Sequence, residues 1–138
     1  MAVIFGSMMV YHGSKMSQAE FDSFHIRARN APWNSTDGQF RVPKFVAAST
    51  SVAQASGFTS TRVLIHINVP RECRNIGSLV GVSVANQEEE YLIPPYSVFT
   101  AIMKYSYTPE NGQRHCVLVV KLTDDNKKHS NLLPTLHF

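Results

Sequence analysis

The chain is 138 residues long, 43% hydrophobic and 17% charged, with a formal net charge of +3 from 13 basic and 10 acidic residues. That length predicts one domain, residues 1–138, burying roughly 65–70% of the surface its unfolded chain exposes, without need of disulfides or a structural metal. The basic residues are scattered, with Lys127-Lys128 the one adjacent pair, which argues against a nucleic-acid partner, and no apolar run reaches the roughly 18 residues of a membrane span.

The opening MAVIFGSMMVY is apolar but has neither a basic leader region nor a cleavage site, so it reads as part of the fold. Residues 8–12 (MMVYH) predict a short strand closed by Gly13-Ser14. In SQAEFDSFHIRARNA, Ser17 stands three residues before Glu20, and Phe21, Phe24 and Ile26 fall near helical spacing, which predicts a helix over 17–29. PWNSTDGQFRVP (32–43) is turn-rich and predicts a loop with one strand-like piece near Phe40. β-Branched or aromatic runs follow at 44–51, 62–70, 78–84, 89–95, 97–108 and 115–122, broken by Gly, Pro, Asn and Ser clusters. Short breaks favour antiparallel meanders over crossover helices, hence an α+β domain, and VAQASGFTST (52–61) reads as a short loop. The tail TDDNKKHSNLLPTLHF either docks Leu132, Leu133 and Phe138 or frays. Cys73 and Cys116 lack the CxxC spacing of a zinc or redox site and predict two thiols, with one bridge between them left open; no metal site is expected.

Three stretches carry the chemistry. In QEEEYLIPPYSVF (87–99), side chains alternate along a strand, so Glu88 and Glu90 share a face about 7 Å apart while Glu89 points away. A solvated, pairing-blocking strand entry is the plain alternative. In KFVAASTS (44–51), small hydroxylated residues follow an apolar strand start and can carry hydrogen bonds into a cleft while leaving it roomy. VYHGSK (10–15) ends a strand on His12 and a glycine whose backbone can approach a ligand closely.

In order and spacing these three stretches resemble the signature of the ADP-ribosyltransferases, the arginine-specific mono-ADP-ribosyltransferase branch in particular. That branch has an Arg-Gly at the end of its first strand, an aromatic-x-Ser-Thr-Ser strand, and a Glu-x-Glu before an apolar strand. Glu88-Glu89-Glu90-Tyr91-Leu92-Ile93-Pro94-Pro95 matches the last motif. The first departs: His12 stands where that branch has arginine, and His12-Gly13-Ser14 is similar to the poly(ADP-ribose) polymerase branch, which in turn carries Tyr where this chain has Ser49. The resemblance implies two small antiparallel-rich β-sheets clasping an NAD cleft, with flanking helices. It implies transfer of ADP-ribose from NAD, as substrate, to a protein acceptor through arginine, with nicotinamide released. Glu90 would stabilise the sugar cation, Ser49 would orient Glu90, and Glu88 would assist an arginine guanidinium. His12 would contact a ribose hydroxyl or phosphate and Gly13 the nicotinamide amide, while Phe58 and Arg62 are candidates over the nicotinamide and phosphates.

Rival readings are an NAD glycohydrolase, a glycosidase, since the carboxyl spacing falls within the roughly 6.5–9.5 Å inverting window, and a non-catalytic module of the same fold that binds NAD or a protein. Residence is cytoplasmic by default, with a secreted effector as the alternative, and flanking domains of a larger protein stay open.

Overall fold

A computed structural model describes residues 7–70, 77–78, 90–124 and 133–138. Its elements in chain order are β1 (Ser7–Gly13), α1 (Gln18–Ser23), β2 (Gln39–Arg41), β3 (Val46–Ser49), α2 (Val52–Ser56), β4 (Val63–Pro70), β5 (Gly77–Ser78), β6 (Glu90–Ile93), β7 (Val98–Tyr107) and β8 (His115–Asp124). The strands lie side by side in the order β2-β7-β8-β4-β1-β3-β6-β5. Where the resemblance implies two sheets, the described strands form one eight-stranded sheet, in which β1 pairs antiparallel with β4 from Ser7↔Pro70 to Gly13↔Leu64. The pairings depart from the expected meanders: among the described strands only β7 with β8 and β5 with β6 join chain neighbours, and β8, set between β7 and β4, runs parallel to β4.

Period-2 alternation builds the core. In VLIHINVP of β4, Val63, Ile65 and Ile67 are fully buried while Leu64, His66 and Asn68 are half-buried. Leu118 and Val120 of β8, Phe99 and Ala101 of β7, and Val10 of β1 join them on that face. The chain's last residues cover it. Arg41 N–H donates to the Pro134 carbonyl and Leu136 N–H to the Arg41 carbonyl, which seats the Phe138 ring 5.6 Å from Phe40 and 5.2 Å from Phe99. Of the apolar tail residues expected to dock, Phe138 is buried, Leu133 is half-buried, and Leu132 lies outside the described residues.

Six residues are too few to hold a helix by propensity, so α1 depends on its ends. Ser17 caps it with a complete capping box: Ser17 Oγ accepts from Glu20 N–H and Glu20 Oε1 accepts from Ser17 N–H, both at 3.0 Å. The helix stops at Ser23, short of the expected 29, because tertiary partners take its next residues. Lys104 Nζ donates to the carbonyls of Phe21, Asp22 and Phe24, Arg27 N–H donates to the Ala101 carbonyl, and Ala28 N–H donates to Asp37 Oδ2. The loop expected over 52–61 begins instead as α2, capped by Ser51. Cys116 is a buried free thiol, and Cys73 lies outside the described residues. No helix among the described residues is long and apolar enough to cross a membrane.

Candidate active site

β1, β3 and β6 are neighbours, in register Tyr11↔Ser49 and Ser49↔Glu90. Residues directly opposite in antiparallel strands project from the same face with Cβ atoms about 4.5–5.5 Å apart, so Tyr11, Ser49 and Glu90 form one row. His66 of β4 extends it, edge-on to Tyr11 at 4.8 Å. At the end of this row is a cavity of about 300 Å³, at the lower end of small-molecule sites. His12, Gly13, Ser49, Phe58 and Glu90 line it, as do Tyr11, Lys15 and Ala55.

Five of the candidate residues therefore meet in one place. Glu88 lies outside the described residues, as does Glu89. Arg62 does not join the group: it lines a separate cavity of about 470 Å³ with His66, Tyr105, Tyr107 and His115. Its backbone is left-handed, φ 60°, where the chain turns into β4 and its carbonyl accepts from Cys116 N–H.

Ser49 is buried, and its Oγ accepts from Ser51 N–H at 3.0 Å. The hydrogen bond on Glu90 comes not from Ser49 but from Gln54, whose Nε2 donates to Glu90 Oε1 at 2.5 Å. Gln54 was hidden in what reads as a loop; the Ser51-x-x-Gln54 spacing, a helix-start pattern, is the signal that points to it.

His12 Nδ1 is 2.7 Å from the Ala47 carbonyl, and its ring lies 5.7 Å from Phe138. A carbonyl only accepts, so Nδ1 carries the proton and a neutral ring presents Nε2 as an acceptor. Burial holds the His12 pKa below the ordinary histidine value, Lys44 adding to the effect and the Ala47 hydrogen bond opposing it. Burial lowers His66 likewise. An unfolded imidazole takes up its proton near pH 6.5, so below that value the unfolded chain binds protons the folded one refuses, and stability falls as pH falls. The paired carboxylates act in a lower window. Asp22 is held down by its hydrogen bond from Arg114, and Asp37 by Ala28 N–H and then His25, so both keep their contribution until pH drops through the carboxylate range. Thermal unfolding is accordingly expected to show a falling midpoint already between pH 6.5 and 5, with a shallower fall in His12→Gln.

Gly13 serves packing as much as ligand approach. A Cβ there would stand 2.2 Å from the Ala55 carbonyl oxygen and 3.0 Å from Phe58 atoms, so only glycine lets the end of α2 lie against β1. Gly13→Ala is expected to cost about 1–3 kcal/mol, as other overpacked sites do, read as a lowered denaturant midpoint. Ser14, third in the His-Gly-Ser run, is fully buried and structural: its Oγ accepts from Met16 N–H at 2.9 Å.

Among the described residues no group of three or more His, Cys, Asp or Glu side chains could hold a metal ion. The arrangement instead offers one carboxylate fixed on a cavity wall, a neutral imidazole acceptor, an exposed aromatic ring in Phe58 and an exposed cation in Lys15.

No protein-family model and no curated protein matches the sequence. Solved structures do. The ADP-ribosyltransferase Vis of Vibrio splendidus, in complex with agmatine, aligns over 95% of this chain and 56% of its own at TM-score 0.65 and 15% identity. C3larvin toxin, an ADP-ribosyltransferase from Paenibacillus larvae, aligns over 86% of this chain and 62% of its own at TM-score 0.57 and 15% identity. Exoenzyme S from Pseudomonas aeruginosa, bound to carba-NAD and in complex with human 14-3-3 protein beta, aligns over 92% and 55% at TM-score 0.55 and 12% identity. The chain thus spans 55 to 62% of the length of these three. At such identities the likeness is one of fold, and the fold of this chain is that of the ADP-ribosyltransferases.

Proposed function

We propose that this protein is an NAD-dependent ADP-ribosyltransferase that moves ADP-ribose to the guanidinium of a protein arginine and releases nicotinamide. The observation that carries the reading is the meeting of His12, Gly13, Ser49, Phe58 and Glu90 on one cavity, with Ser49 and Glu90 in register across β3 and β6.

In this reading the nicotinamide ring rests against Phe58, its amide paired with the Gly13 backbone. The bond between nicotinamide and the ribose breaks and the ring leaves with the electron pair, so positive charge develops on the sugar. A fixed carboxylate beside that charge stabilises the transition state more than the ground state, and Glu90 supplies it. Neutral His12 accepts a hydrogen bond from a ribose hydroxyl through Nε2. It brings no charge to the diphosphate, and Lys15, three residues on at the cavity rim, brings the cation instead. The guanidinium nitrogen then attacks the sugar carbon and gives up a proton. Arginine's pKa above about 12 makes a carboxylate acceptor for that proton necessary, a role for Glu88.

The test is incubation with NAD and agmatine, the guanidinium compound bound in the Vis structure, following nicotinamide release and the mass of agmatine together. Release with a matching ADP-ribosyl adduct supports transfer. Release without adduct makes the protein a glycohydrolase with water as acceptor, and no release with NAD sinks the enzymatic reading.

A further inference from the structure

The same helix-start pattern occurs twice in this chain and closes only once. At α1, Ser17 and Glu20 complete the box, Glu20 Oε1 accepting from Ser17 N–H. At α2, Ser51 Oγ accepts from Gln54 N–H at 3.1 Å, but the return bond is missing. Ser51 N–H donates to Ser49 Oγ at 3.0 Å instead. The Gln54 side chain is thereby released from its own helix and reaches Glu90.

The orientation of that amide follows from chemistry. An ionised carboxylate only accepts, so Nε2 must face Glu90 and Oε1 must face away. Gln54 Oε1 is buried and, among the described residues, has no hydrogen-bond partner. A buried carbonyl without a donor is a cost that a closed box or an apolar side chain would avoid, and such exceptions call for a specific explanation. Here the cost accompanies a single gain, a donor aimed at the acid on the cavity wall.

We propose that Gln54 is a positioning residue for Glu90, and that Ser49 acts on Glu90 through Gln54 by occupying Ser51 N–H. The proposal rests on the transferase reading and adds to it a residue outside the three motifs. It gives Ser49 an indirect role: its hydroxyl decides whether the glutamine closes its own helix or holds the acid.

Three variants test it, each assayed for nicotinamide release and for thermal midpoint. Gln54→Met keeps the length and loses both polar atoms; Gln54→Glu keeps the shape and loses the donor; Ser49→Ala frees Ser51 N–H for Gln54. All three are expected to lower kcat by about 10- to 100-fold, the usual effect of removing a group that orients a reacting one, with KM for NAD changed less than about threefold. Gln54→Met is expected to keep or raise the thermal midpoint, since the orphaned carbonyl goes with it; a merely structural glutamine would lower it. The double variant Ser49→Ala/Gln54→Met should be no slower than Gln54→Met, because both changes act on one contact. A wild-type kcat in Gln54→Met and Gln54→Glu overturns the proposal, as does full additivity in the double variant. Wild-type protein that releases no nicotinamide removes the transferase reading and this inference together. Wild-type turnover that Glu90→Gln abolishes but Gln54→Met leaves intact removes this inference alone.

Discussion

Glu90→Gln is expected to reduce nicotinamide release from NAD by about 10²- to 10³-fold, the effect of deleting one preorganised electrostatic contact to a transition state. The substitution keeps size, shape and the capacity to accept from Gln54 Nε2, 2.5 Å away in the native protein, and removes the charge. Charge matters only as the sugar becomes cationic, so KM should move little while kcat collapses. Glu89→Gln is the internal control. The alternation expected from the sequence puts residue 89 on the other face, and its substitution should leave the rate within about twofold. Equal rates in the two variants would dismiss Glu90 as the reacting acid.

Phe138→Ala carries the largest expected loss of stability, about 3–5 kcal/mol, the range for emptying a large aromatic site. A chain-terminal residue ordinarily frays; this one is 3% exposed and stands within 6 Å of three rings, those of Phe40, Phe99 and His12. The thermal midpoint should drop by about 10–20 °C on the usual scaling for a domain of this size. A drop below about 3 °C would show that the ring is not part of the core. Because Phe138 also shields His12, the variant should relax the histidine toward its ordinary pKa, flattening the loss of stability between pH 6.5 and 5.

How far these features could be read from residues alone depends on how local their causes are. β4 was legible because VLIHINVP alternates over its length, and the start of α1 because Ser17 and Glu20 are a self-contained pair. Tyr11, Ser49 and Glu90 come into one row through strand register, which no spacing along the chain reveals. The end of α1 is set by Lys104, some eighty residues away, which takes the terminal carbonyls and lies 5.4 Å over the Phe21 ring. Arg62 is a candidate through the resemblance alone, and its left-handed backbone leads to the other cavity. Gln54 is not legible from sequence because a five-residue helix leaves almost no periodic signal, and because its partner sits on a different strand. The motif that most strongly suggested arginine as acceptor, Glu88 with Glu90, extends beyond the described residues at Glu88.

Of the described strands β8 is the latest in sequence and the one that fits between β4 and β7. Until it arrives, β4 has a bare edge and β7 has only the three-residue β2 beside it. The sheet therefore cannot be assembled as it is synthesised, and its closure waits for contacts between residues as distant as Val63 and Cys116. Such non-local closure makes folding slow and leaves exposed strand edges open to wrong partners meanwhile. Truncations that remove β8 should yield aggregated material instead of a smaller soluble domain.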